Sequence, residues 1–247
     1  MARDFDGTND KLQIDSAVLT AAPITMACWY NVDNLTSDHE LMSLADKDAA
    51  NDWFILEVRA SSSADKLAAG ILAVGGYSQE LSAAPVVAGA WEHGCAVFAS
   101  SIDRRVFRNG VKSSGSDVTL RVPLGIDRTS IGTQGSASGS QNWLNGKLAE
   151  AAIWDVALTD AEVSVLATGV PPIHVRPGSL RAYWPIWGTG SPEPDYTNGD
   201  RALTVTEAVQ YSPHQKVGPL FGDFMNAFSA VVAASVRHYD LTTLGAG

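Results

Sequence analysis

The sequence predicts an all-β chain folded as an antiparallel β-sandwich, and three observations predict it. Short apolar runs alternating with polar residues recur through most of the 247 residues, which is the period of half-buried strands. Turn signals separate these runs, Gly75-Gly76 and Asn109-Gly110 among them, at the spacing of sandwich strands. The hydrophobic content of 45% is normal for a packed globular core. At this length one large β domain fits as readily as two small ones, and no boundary shows before Gly169.

The elements follow in order. Asp4 to Asp10, DFDGTND, reads as a turn flanked by strand residues, and Leu12 and Ile14 then alternate with polar neighbours. From Ile24 to Val32 the chain alternates again, with Ile24, Met26, Cys28 and Tyr30 on one face and Thr25, Ala27 and Trp29 on the other. Leu41–Leu44 and Trp53–Val58 are the next two strands, split by the charged loop Asp46-Lys47-Asp48. Leu67–Val74 is another, ended by Gly75-Gly76. In FRNGV, Phe107 to Val111, the Asn-Gly pair favours a type I′ hairpin turn. Ile131-Gly132 precedes a Gly/Ser-rich loop, Thr133 to Gln141.

Leu144 to Gly169 carries the densest signals. Asn145-Gly146 is a turn signal, since Gly accepts positive φ at no steric cost. Leu148, Ala151, Ile153 and Trp154 sit in a run of strand length. Thr159 and Glu162 form a capping box, in which each side chain satisfies an amide of the other residue. Val163, Leu166 and Ala167 give the short helix one apolar side. Gly169 stands where a left-handed cap is wanted, and Pro171-Pro172 forbid continuation.

Taken together these motifs resemble laminin G-like domains of the concanavalin A-like lectin and glucanase superfamily. The carrying residues are Asp4 to Asp10, then Thr25, Met26 and Trp29, then Trp91, His93, Ala96 and Val97, then Phe107 to Val111 and Ile131-Gly132. The closing strand adds Gly146, Leu148, Glu150, Ala152, Ile153 and Trp154, followed by Ala157-Leu158-Thr159 and Glu162. LRAYWPIWG from Leu180, with the linker up to Val209, resembles a strand that in tandem arrays precedes the opening turn; here it ends the chain. The resemblance implies a jelly-roll sandwich over residues 1–220, closed by its own C-terminal strands. Residues 221–247 are an apolar appendage.

Composition excludes some functions. A charge of −10 argues against nucleic acid, whose binders are basic. No apolar run approaches membrane-spanning length. MARDFDGTND lacks the basic and apolar regions of a signal peptide, so synthesis without ordinary secretion is expected. Cys28 and Cys95 lie in strand-like runs and read as small buried hydrophobes.

Three chemistries merit a search. The glycoside hydrolases of the superfamily need paired carboxylates on one strand, as E-x-D-x-E or E-x-D-x-x-E; Glu57, Glu80 and Glu150 all lack such partners, so no catalysis is expected. The resemblance implies a structural calcium ion near the opening turn, where Asp6, Asn9 and Asp10 supply hard oxygen donors. Ala149 stands where the family carries Asp, and an Asx turn satisfied by its own backbone is the competing reading. For a glycan, Trp53, Tyr77 and Trp143 are the best-placed aromatics, against the reading that each is a core or rim ring. The remaining histidines carry no assigned role, and the acidic runs at Asp46-Lys47-Asp48 and Ser191 to Asp195 read as solvated loops.

In the tail, Phe221, Phe224, Met225 and Phe228 fall at helical spacing on one side, while Val231-Val232 leaves a strand reading open. Such a patch needs a cover, either its own domain or a partner. Two functions follow as expectations. One is a non-catalytic assembly protein on a virion surface, a bacteriophage capsid decoration or cement protein that contacts copies of itself or a capsid protein. The other is a carbohydrate-binding lectin-like module.

Overall fold

The computed structural model describes residues 1–60, 63–137, 142–187, 190–197, 199–208 and 210–212. The expected assembly contacts Phe221, Phe224, Met225 and Phe228 lie outside the described residues. Two antiparallel sheets face each other. One contains β1 (Ala2–Asp6), β3 (Ile24–Val32), β8 (Glu92–Ser100), β9 (Asp103–Arg108), β10 (Val111–Lys112), β12 (Asn145–Trp154), β13 (Leu180–Trp184) and β15 (Gln210–Ser212), in the order β10-β9-β8-β3-β12-β1-β15 with β13 also on β12. The other runs β14-β2-β11-β4-β5-β6-β7, from β2 (Lys11–Ile14), β4 (His39–Ala45), β5 (Trp53–Arg59), β6 (Lys66–Ala73), β7 (Gly76–Pro85), β11 (Arg128–Ile131) and β14 (Thr204–Thr206). No helix among the described residues is long and apolar enough to cross a membrane.

Alternation builds the core between the sheets. Ile24, Met26, Cys28 and Tyr30 all point into it and are fully buried, against Leu41, Leu44, Leu56 and Ile71 of the facing sheet. The opposite face of β3 is buried too, because α1 (Asp160–Ala167) covers the outside of the eight-stranded sheet. Val163 and Leu166 of α1 pack there with Ala27, Cys95, Phe107 and Trp154, each large side chain contributing roughly 1.5–3 kcal/mol. Both halves of the expected capping box form: Thr159 Oγ1 accepts from the Glu162 amide, and Glu162 accepts from the Thr159 amide at 2.9 Å. Gly169 follows at φ +92°. Cys28 and Cys95 are both buried free thiols, and burial raises both their pKa values.

Asn109 and Gly110 both take positive φ, +51° and +77°, as the type I′ hairpin requires. Asn145-Gly146 makes no turn; it opens β12, with Gly146 opposite Val32. A Cβ at Gly146 would collide with the Asn31 carbonyl, so the glycine serves close strand approach. The strand expected from Leu67 ends at Ala73, and the turn at Val74-Gly75 leads into an antiparallel partner, β7, which the sequence reading left out.

β12 is divided. β1 pairs with its first half, Asn145–Leu148, and β13 with its second, Ala151–Trp154. Between them the register against β3 shifts, and Glu150 sits at φ +55°, a β-bulge that re-aims its side chain. The run Ser191 to Asp195, expected to be solvated, departs from that reading. Glu193 is 1% exposed and pairs with the buried Arg3 at 2.9 Å, so its charge is held by a residue at the other end of the chain.

Candidate functional site

The outer face of the seven-stranded sheet carries the sequence-predicted aromatics. On β5, Phe54, Leu56 and Val58 enter the core, so the pleat turns Trp53, Ile55, Glu57 and Arg59 outward. Trp53 packs on Tyr77 of β7 with centroids 5.3 Å apart. The Tyr77 hydroxyl donates to Glu57, and the Arg59 guanidinium lies 5.4 Å from the Tyr77 ring centroid. Glu40 is the cross-strand neighbour of Glu57, and exposed Asn142 donates to it at 3.2 Å. Trp143 is adjacent in sequence, and its ring lies under Lys11 Nζ at 6.0 Å. The structure thus brings Trp53 and Tyr77 together, and the segment of Trp143 meets β4 through Asn142 on Glu40 and the Trp143 carbonyl at His39.

Both carboxyls are deeply buried, Glu40 at 2% and Glu57 at 1% exposure. Burial raises both pKa values, and for Glu40 the neighbouring Glu57 charge raises it further. A search along single strands misses such a pair, because the two glutamates meet across strands. The available signal was the pattern of Glu57 and Arg59 at outward positions of an otherwise apolar strand.

Four buried side-chain atoms of this region lack a hydrogen-bond partner: Glu40 Oε2, Trp53 Nε1, Arg59 Nε and Thr133 Oγ1. Thr133 belongs here because its carbonyl accepts from Ser43 Oγ at 3.0 Å, and Ser43 pairs with Ile55. Buried polar groups are nearly always satisfied, by protein or by ordered water, so four such atoms around one aromatic pair mark this region out among the described residues. The set holds one carboxyl, two N–H donors and one hydroxyl.

A second region is acidic. Asp4, Asp6, Asp10, Asp33, Asn145 and Glu207 line a cavity of about 360 Å³. Burial raises the Asp10 pKa, with the Asp6, Glu207 and Asp4 charges adding to it. That crowding of carboxylates suits a hard cation. Asp6 Oδ1 already accepts from the Thr8 amide and Asp10 Oδ2 from the Asp6 amide, both at 2.8 Å, leaving each one further oxygen. Exposed Asn9 does not line the cavity, and Ala149 packs elsewhere, against Trp29 and Ala2. A tighter trio is Asp46, Asp48 and Asp127, whose oxygens lie within 4.8 Å of one another. There the Lys47 ammonium sits 2.6 Å from both Asp48 and Asp127 and supplies the positive charge itself.

His93, a framework position in the sequence reading, is buried against Trp29 at 5.5 Å. Burial alone lowers its pKa to about 3, so it is a neutral core residue.

Residues 6–164 match the family described as the concanavalin A-like lectin/glucanases superfamily. Among solved structures, a Bacteroides ovatus protein provisionally assigned as carbohydrate binding aligns at 21% identity and TM-score 0.59, over 83% of this chain and 57% of that one. A heptameric pentraxin from Limulus polyphemus aligns at 18% identity and TM-score 0.53, over 84% and 96%. The carbohydrate-binding module CBM40 of a Ruminococcus gnavus sialidase, bound to sialyllactose, aligns at 11% identity and TM-score 0.54, over 68% and 98%. None of the three is described as a catalytic domain, and at these identities they share the fold alone. No curated protein matches the chain.

Proposed function

The chain belongs to the concanavalin A-like lectin/glucanase superfamily, and on that premise we propose that it is a non-catalytic carbohydrate-binding module. Its sugar site is the outer face of the seven-stranded sheet around Trp53, Tyr77, Glu40 and Glu57. The observation that carries this is the set of four partnerless buried polar atoms beside the Trp53–Tyr77 pair. Sugar hydroxyls both donate and accept, so one ligand class suits a carboxyl, two N–H groups and a hydroxyl together. The aromatic pair supplies the apolar surface that such sites place beside polar groups. A glycan approaching this face meets exposed Asn142 and half-buried Tyr77 first, the two residues that hold Glu40 and Glu57 beneath them.

Absence of catalysis is part of the proposal. Cross-strand neighbours stand at about the spacing a retaining glycosidase uses. Here both carboxyls are buried and engaged by Tyr77 and Asn142, which suits positioning a ligand better than attacking one. Calcium, as a stabilising ion, is assigned to the acidic cavity through Asp6 and Asp10. The assembly reading gains no comparable support: its four contact residues lie outside the described residues, and none of the three structures above is a virion protein.

The test is a glycan array followed by calorimetry on the full chain and on Tyr77→Ala, Asn142→Ala and Glu40→Gln. Binding that weakens about tenfold or more in these variants, with cooperative melts retained, is expected. No glycan bound at about 1 mM, or binding indifferent to all three, overturns the site. Release of reducing ends from laminarin, lost in Glu57→Gln, overturns the non-catalytic part.

A further inference from the structure

We infer that the chain carries a second binding site, for a carboxylate-bearing sugar residue, in the cleft between β13 and the described residues 193–197 and 199–203. This cleft lies apart from the sheet face above and stands or falls independently of it. Its volume is about 470 Å³, and Tyr196, Arg201, Arg181, Leu180, Pro177 and Ile173 line it.

The walls are fixed by β13. The Tyr196 amide donates to the Tyr183 carbonyl at 2.8 Å, and Trp184 Nε1 donates to the Arg201 carbonyl at 2.7 Å. Backbone hydrogen bonds between Glu193 and Leu203 at 2.8 and 2.9 Å close the segment into a loop. Tyr196 and Arg201 are therefore held on adjacent residues of one strand before any ligand arrives, which spares the ordering cost of binding.

Tyr196 is 55% exposed. Its placement is supported by Trp187 at 5.7 Å and Tyr183 at 6.3 Å, and those two rings are themselves tied to Glu150. An exposed, backed aromatic face is a stacking surface for the C–H face of a pyranose, with Ile173 and Pro177 extending the apolar floor.

The charge of the cleft sets the ligand class. In a chain of net charge −10, no Asp or Glu among the described residues lines this cleft, while two arginines do; the neighbouring Asp195 carboxylate accepts from the Tyr183 and Thr197 amides and the Thr197 hydroxyl. Arg181 is engaged by Asp155, with Nε at 2.6 Å. Arg201 forms no ion pair among the described residues; its Nη1 donates to the Arg181 carbonyl at 2.9 Å, leaving the rest of the planar fork that matches a carboxylate. Position 199 is glycine where that fork passes: a Cβ there would collide with Arg201 Nη1. Aromatic wall, apolar floor and a guanidinium without an ion pair among the described residues together fit an acidic pyranose residue.

Calorimetry on the full chain tests this with trigalacturonate and sialyllactose, each against a neutral counterpart, methyl-esterified trigalacturonate and lactose. At least one acidic probe binds, its counterpart binds about tenfold or more weakly, and added salt weakens the acidic complex. Arg201→Met and Tyr196→Ala each weaken it about tenfold or more, and Gly199→Val does so by displacing Arg201. Neither acidic probe binding at about 1 mM, equal binding of the neutral counterparts, or indifference to Arg201→Met overturns the inference. Preference for a glutamate-rich peptide over both sugars overturns the sugar assignment.

Discussion

Glu193→Ala should be among the most damaging single truncations in this chain. Arg3 on β1 is fully buried, and its Nε and Nη2 reach Glu193 Oε2 at 3.0 and 2.9 Å, while Nη1 donates to the Ala208 carbonyl at 2.8 Å. Removing the carboxylate leaves a buried guanidinium that cannot deprotonate. Breaking a buried pair from one side costs roughly 3–5 kcal/mol. At roughly 2–4 °C per kcal/mol for a domain of this size, the melting temperature should fall by about 6–20 °C. The double variant Arg3→Met/Glu193→Met removes both charges and should recover much of the loss. Recovery is partial, because the Ala208 carbonyl loses its donor. Calorimetric melts with urea titrations measure both. A Glu193→Ala change within about 1 kcal/mol, or a double variant as unstable as the sum of the singles, would refute this account of how the C-terminal segment is fastened.

Thr159→Ala removes the cap of α1 and should cost about 1 kcal/mol, read from the urea midpoint. His93 keeps a native pKa of about 3 against an ordinary 6.5; the unfolded chain therefore binds the extra proton, and stability should fall as pH drops from 6.5 towards 3, a decline that His93→Gln should soften. Glu40 shifts upward, so its native form holds a proton that the unfolded chain releases. Its share of stability is lost as pH rises above the ordinary carboxyl range, and Glu40→Gln should raise the melting temperature more at pH about 8 than at about 4. Calcium at the Asp6–Asp10 cavity should raise the melting temperature by mass action, and a melt that EDTA and added calcium both leave unchanged would remove that assignment.

What was legible in the sequence was whatever local physics determines. Period-two alternation placed β3 and its core face, the Thr159–Glu162 box placed α1, and Asn109-Gly110 placed its hairpin. β7 escaped because Gly76–Pro85 contributes mostly half-buried and exposed positions, so no apolar stripe announces it. Glu193 escaped because its partner is 190 positions away, and an acidic residue between prolines gives no sign of an arginine waiting in β1. The candidate site was half legible. Trp53 and Tyr77 were chosen singly for their neighbours in sequence, whereas their contact, and the meeting of Glu40 with Glu57, depends on strand order and register.

Tyr196 and Arg201 were overlooked for a related reason, and it explains how one fold can hold two separate ligand surfaces. With α1 packed on the eight-stranded sheet, much of that sheet's outer surface is closed to ligand. The bulge at Glu150 reopens its margin. Because β1 and β13 share one edge of β12 on either side of that residue, each continues into its own loop: the acidic cavity adjoins the β1 end and the aromatic cleft the β13 end. Glu150 holds a left-handed backbone that glycine would accept more readily, yet glycine there would leave Tyr183 and Trp187 without the carboxylate that receives both. The backbone cost at one residue of the central strand thus positions the rings that back Tyr196, and a local conformational penalty is converted into a prepared surface at the sheet's edge.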